Sequence, residues 1–313
     1  MTLSSEEHAP RRLVDIARLA EEHAFDFVSI SDHYHPWIDA QGHAPFVWSV
    51  LGAIAERTDE IGVAVGVTCP IMRIHPAVLA QAAATTGHLL DGRFTWGLGT
   101  GEALNEHITG ERWPIAPDRI DMLEEAIDVI RQLWRGEDVT IRGRYFTVEN
   151  ARIYDPPPSS IPIVVSAFGP AAAEMAARAG DGLWTGADAE IIETWRRGGG
   201  RGPVYSQITV CWAPTRDEAV ERAHRVWPNK AVPGQLSQDL PTPAHFEQAV
   251  SPVTPETIGK AIPCGPDPEP IVAAIGEAVA AGVTHVYLHQ IGDDQEGFAK
   301  VWLAEIRPEV GSR

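Results

Sequence analysis

Cysteine is scarce in this 313-residue chain: Cys69, Cys211 and Cys264 lie far apart, and no Cys-x-x-Cys occurs. A disulfide framework and a structural zinc site are therefore not indicated. Positive charge is also short, with 25 Lys and Arg against 43 Asp and Glu, a formal net charge of −18. A surface that acidic repels phosphodiester backbones and anionic lipid, so nucleic acid and membranes are not expected partners. No run of about eighteen apolar residues occurs, and Met1 to Arg12 carries charges where a secretory leader would be apolar. The expected location is the cytoplasm. No internal repeat is visible, and the Gly-Arg run from Arg196 to Gly202 reads as a flexible loop in so acidic a chain. The remaining composition, 44% hydrophobic and 22% charged, is that of a globular protein with a small-molecule partner.

Two periodicities alternate along the chain. Leu13, Ile16, Ala17 and Ala20 fall on one face of a helix predicted over 10–23, with Pro10 suited to its first turn. Strand-forming runs follow at 25–30, 61–67, 94–98, 162–166, 182–185, 204–212 and 284–289, and an eighth short strand is predicted near Thr2–Ser5. Helices are predicted between most of them, at 44–57, 76–90, 117–135, 170–179, 188–196, 215–227, 268–281 and 294–306. Eight βα units favour a closed parallel (β/α)8 TIM barrel over an open sheet. Two departures interrupt that rhythm: a β-hairpin turning at Gly143, over about 138–154, and an irregular excursion rich in Pro, Gln and Ser, over about 228–255. One domain spanning 1–313 is expected.

Barrel enzymes place their reactive groups just after the strands. After the second strand stands Ser31-Asp32-His33-Tyr34-His35-Pro36-Trp37, where His33 is a candidate general base with Asp32 as the adjacent carboxylate. After the fourth, Glu102 follows a Gly-rich turn that lets backbone approach a flat ligand. Gly97 to Glu102 is not a dinucleotide fingerprint, because Glu occupies the place of the last Gly. Ala167-Phe168-Gly169-Pro170 opens a helix with free N–H groups and suits a phosphate. His33-Tyr34-His35 also admits a divalent metal, as in barrel hydrolases, but strands five and six end in Ser166-Ala167 and Thr185-Gly186, which add no ligands.

Ser31 to Trp37 followed by Gly42-His43-Ala44-Pro45-Phe46, together with His75 to Gln81, Gly97 to Glu106 and Arg178 to Gly182, closely resembles the F420-dependent glucose-6-phosphate dehydrogenase branch of the luciferase-like oxidoreductases. The similarity runs from Glu6 to Asp188 and resumes from Thr254 onward. It implies a homodimeric (β/α)8 barrel that binds coenzyme F420 at the strand C-termini and exchanges hydride between substrate carbon and C5 of the deazaflavin. By the same resemblance His33 takes the hydroxyl proton, Asp32 and Trp37 lie beside the ring and the reaction centre, and Glu102 supplies the cofactor's proton. Asn105 lines the cofactor, Gly66-Val67 matches a non-prolyl cis peptide under the ring, and Ala167, Phe168 and Gly169 receive the phosphate. Thr185 and Lys260 match substrate-binding positions.

Departures from the family pattern bear on the substrate. The first strand is short, and the sixth helix is replaced in part by Gly198–Gly202. In the sugar-phosphate enzymes a phosphate-binding lysine follows the sixth strand by a few residues; here that stretch reads Thr185-Gly186-Ala187-Asp188, where a carboxylate repels phosphate, while Lys260 matches another phosphate-binding lysine. That weakens a glucose 6-phosphate reading and leaves another alcohol, or reduction of a carbonyl or unsaturated compound by reduced F420. The rival readings are an FMN-dependent luciferase-like enzyme, a metal-dependent barrel hydrolase and a barrel that binds a ligand without catalysis.

Overall fold

Short apolar runs flanked by turns become strands buried on both faces, as parallel strands sheathed by helices must be. In the computed structural model, which describes residues 1–311, the first four strands are β1 (Thr2–Leu3), β2 (Phe27–Ile30), β3 (Gly62–Thr68) and β4 (Phe94–Leu98). The hairpin strands β5 (Val139–Arg142) and β6 (Thr147–Ala151) form a separate antiparallel pair. Then come β7 (Ile163–Ser166), β8 (Gly182–Trp184), β9 (Val204–Val210) and β10 (His285–Gln290). The eight-stranded sheet has the order β1-β2-β3-β4-β7-β8-β9-β10 with every ladder parallel, and β1 meets β10 to bring its ends together. The result is a nearly closed (β/α)8 barrel.

Closure at the short first strand falls to side chains. Two residues of β1 pair with Ser29 and Ile30 on one side. On the other, the Glu7 carboxylate accepts from Trp227 Nε1 at 2.6 Å and from the Gly292 N–H at 2.8 Å, and lies 2.9 Å from His289 Nε2. Burial opposes the Glu7 charge, but the hydrogen bond and charge of His289 and the Gly292 N–H together hold its carboxyl below the ordinary range.

Small residues on β3 and β4 make room inside the barrel for one large ring. A Cβ on Gly66 would lie 2.3 Å from Trp184 Cζ2, and one on Gly97 would lie 2.3 Å from the Val65 carbonyl oxygen. Trp184 stacks on Tyr205 at 5.0 Å and donates Nε1–H to the Tyr287 hydroxyl at 2.6 Å. The ladder between β3 and β4 breaks register between Val65 and Thr68, a bulge at the upper rim. The Gly66–Val67 peptide is cis.

The excursion is more regular than its composition suggests. It holds a 3-10 turn at Pro228–Ala231 and helices at Leu236–Asp239 and Pro243–Val250. In the last, the Thr242 hydroxyl accepts from the His245 N–H, Pro243 takes the first turn, and Phe246 and Val250 are buried four residues apart. A further helix, Pro255–Ala261, capped by Thr254, also lies where the sequence reading placed none. In both, the Thr-Pro pair that looks like a loop signal is a helix start. The C-terminal helix begins at Gln295 and continues through a π-turn at Trp302–Ile306 to Val310.

Candidate active site

The strand-end loops converge at one rim, and their polar side chains knit them together. His33, after β2, has Nδ1 3.2 Å from Glu6 Oε1, within ion-pair distance though not aligned as a hydrogen bond. Such contacts often tighten only when substrate arrives. The other Glu6 oxygen accepts from the hydroxyls of Ser31 at 2.8 Å and Ser4 at 3.1 Å. Glu6 is 3% exposed, so its orientation is held. A carboxylate facing Nδ1 favours the Nδ1–H tautomer and leaves Nε2 free to take a proton.

Asp32, the sequence neighbour of His33, turns elsewhere. It accepts from the Thr68 hydroxyl at 2.9 Å and pairs with Arg73 Nη2 at 2.8 Å. Arg73 Nε also lies 3.5 Å from Glu106 Oε1, and the Arg73 backbone N–H donates to Glu106 Oε2 at 2.9 Å. These three charges are buried together beneath the rim and fasten the loops after β2, β3 and β4. Burial pushes the Glu106 carboxyl up to about 7, against the pull of Arg73. The carboxylate that addresses His33 is thus Glu6 and not Asp32.

Asn105 is a brace between loops. It is 1% exposed, and its Oδ1 accepts from the N–H groups of Tyr34 at 2.9 Å and His35 at 3.1 Å. Its amide nitrogen points to Glu102 Oε2 at 3.5 Å. Trp37 lies edge-on to His33 with centroids 5.1 Å apart, and Phe246 backs it at 5.1 Å.

The remaining candidates are divided. Gly66 and Val67 lie on the bulge at the end of β3. Ala167 is buried and Phe168 is 67% exposed, while Gly169 opens the helix Pro170–Ala179 with no side-chain cap and open space where a Cβ would stand. Thr185, just past β8, is buried and its hydroxyl has no partner within the protein. Asp188 accepts from the N–H groups of Glu190 and Ile191, so its carboxylate caps the next helix. Lys260 lines a groove of about 560 Å³ with Arg216, Glu221 and Glu256, none of which is among the groups described around His33. His35 Nδ1 lies 2.8 Å from the Leu104 carbonyl oxygen. Among the described residues no cluster of three or more His, Cys, Asp or Glu is placed to hold a metal ion, and no helix is long and apolar enough to cross a membrane.

Glu6, Arg73 and Phe246 are the site residues that the sequence reading did not single out. Glu6 was within reach of the strand-end rule, since it follows the predicted strand at Thr2–Ser5. Arg73 and Phe246 carried no local signal.

A parallel barrel with its polar groups gathered at the strand C-termini, a bulge near the end of β3 and an uncapped helix after β7 agrees with the architecture that the luciferase-like resemblance implies. The luciferase-like monooxygenase family matches residues 1–285, and the chain belongs to that family. It is 36% identical to the F420-dependent glucose-6-phosphate dehydrogenase of Microbacterium testaceum (strain StLB037), covering 99% of this chain and 96% of that protein. It is 35% identical to the enzyme of the same name from Mycobacterium tuberculosis (strain ATCC 25618 / H37Rv), over 98% and 96% of the two chains. Among solved structures, an F420-dependent secondary alcohol dehydrogenase in complex with an F420-acetone adduct superposes with a TM-score of 0.91 at 31% identity, covering 99% of this chain and 97% of that one. The F420-dependent tetrahydromethanopterin reductase of Methanopyrus kandleri shares the fold, with a TM-score of 0.75 at 21% identity over 98% and 97% of the chains.

Proposed function

We propose that the protein is an F420-dependent oxidoreductase that moves hydride between an alcohol or carbonyl substrate and the deazaflavin at the barrel mouth. The observation that carries this is the buried Glu6 carboxylate 3.2 Å from His33 Nδ1, with Trp37 against the same imidazole, in a chain whose full-length relatives are F420-dependent dehydrogenases. The chain's own groups fit the cofactor. The uncapped start of the helix Pro170–Ala179 offers free N–H groups and open space for a phosphate, and the unpartnered Thr185 hydroxyl awaits a polar group. Ala167, Phe168 and Gly169 would receive the phosphate; Gly66, Val67, Asp32 and Asn105 would border the ring.

When bound, the deazaflavin supplies a two-electron hydride acceptor or donor at C5. The protein then has positions to hold and protons to manage. His33 Nε2 takes the proton of the substrate hydroxyl, and Glu6 stabilises the imidazolium that results. Trp37, braced by Phe246, walls the reaction centre and excludes water. Glu102, on the loop after β4, is the residue placed to pass a second proton, and Asn105 ties that loop to the loop of His33. Thr185 is a candidate contact for substrate or cofactor. The family resemblance also supports one barrel domain, a homodimer and a cytoplasmic location; sedimentation equilibrium tests the dimer.

Titrating the purified protein with F420 and with FMN, read by fluorescence quenching, tests the cofactor. Saturable F420 binding without an FMN response is expected, and binding of neither overturns the reading. Turnover of secondary alcohols with F420 then tests the chemistry.

A further inference from the structure

Lysine is rare in this chain: Lys230, Lys260 and Lys300 are the only three. Lys230 lies on the 3-10 turn Pro228–Ala231, and two tethers carry that turn to the reaction centre. Asn229, the preceding residue, accepts from Gln41 Nε2 at 3.3 Å, and Gln41 Oε1 accepts from the Trp37 N–H at 2.8 Å. Trp227 donates Nε1–H to Glu7, the neighbour of Glu6, and the Lys230 ammonium stands 5.6 Å from the Trp227 ring centroid.

The Lys230 side chain is exposed to solvent, and protein nonetheless surrounds its charged end closely enough to desolvate it. Burial pulls its pKa down, and Glu6 is the charge that opposes this. Glu6 nevertheless does not pair with it, because one of its oxygens faces His33 and the other accepts from Ser4 and Ser31. Arg73 is committed to Asp32 and Glu106, and Arg119 lies fully buried against Trp113, donating to the Pro114 carbonyl and to Gln238. Lys230 is therefore an exposed cation with no carboxylate partner among the described residues, on a turn tethered to the loops of Trp37 and Glu6. A compact ammonium in that setting suits an anionic oxygen group.

Building on the F420-dependent reading above, we propose that Lys230 binds an anionic group of the substrate, a phosphate or a carboxylate, and holds the substrate's hydroxyl-bearing carbon toward His33. On this proposal Lys260, in the groove with Arg216 and Glu256, plays no part in holding that anion.

Calorimetric titration of the F420-saturated protein, in which the phosphate site at the start of the helix Pro170–Ala179 is filled, with inorganic phosphate and, separately, with acetate tests this without using turnover. Lys230→Gln is expected to weaken binding of at least one anion about tenfold, the worth of one charge-assisted contact. Lys230→Arg should restore most of it, and Lys260→Gln should bind like the parent. Dependence on Lys230 for phosphate alone assigns a phosphorylated substrate; dependence for acetate assigns a carboxylate. The proposal is overturned if neither anion binds the parent, if Lys230→Gln binds both like the parent, or if the loss follows Lys260. Because F420 binding is measured separately, a protein that takes F420 and ignores both anions keeps the cofactor reading and loses this one.

Discussion

Replacing Glu6 by Gln perturbs one atom pair and little else. The side chain keeps its shape, and its carbonyl oxygen can still accept from Ser31 and Ser4, which now stand 2.8 and 3.1 Å from Oε2. That choice turns the amide nitrogen toward His33 Nδ1, at present 3.2 Å from Oε1. An N–H facing Nδ1 forces the proton onto Nε2, the nitrogen that must take the substrate's proton. The base is then in the wrong tautomer, and the imidazolium loses its counter-charge. General-base catalysis is worth roughly 10²–10⁴ in rate, so kcat should fall by about that factor, a barrier increase of about 3–5 kcal/mol. Single-turnover hydride transfer followed by F420 absorbance measures the loss. F420 affinity and thermal stability should stay near those of the parent, because the hydroxyl bonds survive. Undiminished single-turnover rates in a folded Glu6→Gln protein would refute the role given to the Glu6–His33 contact.

Three other perturbations separate chemistry from architecture. His33→Ala should keep F420 binding by fluorescence titration and lose hydride transfer; persistent turnover of the true substrate would assign the base elsewhere. Gly66→Ala sets a Cβ 2.3 Å from the Trp184 ring, which is held by Tyr205 and Tyr287, so thermal denaturation should show a loss of about 1–3 kcal/mol from overpacking. Glu106 has its folded pKa raised from 4.5 to about 7, so the folded protein binds its proton more tightly and that stabilisation is lost as pH rises through about 7. Glu106→Gln keeps the neutral form, and its stability relative to the parent should grow by up to about 3 kcal/mol between pH 5 and 8 in urea titrations; a pH-independent difference would count against the buried charge as the cause.

The strands were legible because a parallel sheet sheathed by helices demands short apolar runs, and those runs matched the observed strands to within two residues at most ends. The loops that carry His33, Glu102 and Asn105 followed from the same reading, since strand C-termini are positions along the chain. Pairing between loops is not. Asp32 stood next to His33 in sequence and was the natural carboxylate for it, yet successive residues leaving a strand point in different directions, and Asp32 went to Arg73. Glu6 could have been reached from the first strand, but two residues of β1 are too few to show a period of two. The helix Pro243–Val250 was hidden by composition, because Thr-Pro begins a helix as readily as it marks a loop, and only burial of Phe246 and Val250 distinguishes the two.

Glu6 and Glu7 are adjacent carboxylates that divide the two tasks of the first loop. Glu6 faces the reaction centre, while Glu7 spans the seam where β1 is too short to form a ladder with β10, accepting from Trp227 and Gly292 and meeting His289. Buried hydrogen bonds to a charge are among the stronger polar contacts, which suits them to substitute for a missing ladder. The arrangement has a mechanical consequence. Consecutive residues cannot shift independently, so whatever fixes Glu7 at the seam also fixes the backbone from which Glu6 reaches His33. The Trp227 side chain that closes the seam is also the ring beneath Lys230. Closure of the barrel, orientation of the base and placement of the free cation therefore depend on one pair of residues, and a change that opens the seam should be felt first in catalysis, where an error of an ångström is costly, and only later in stability.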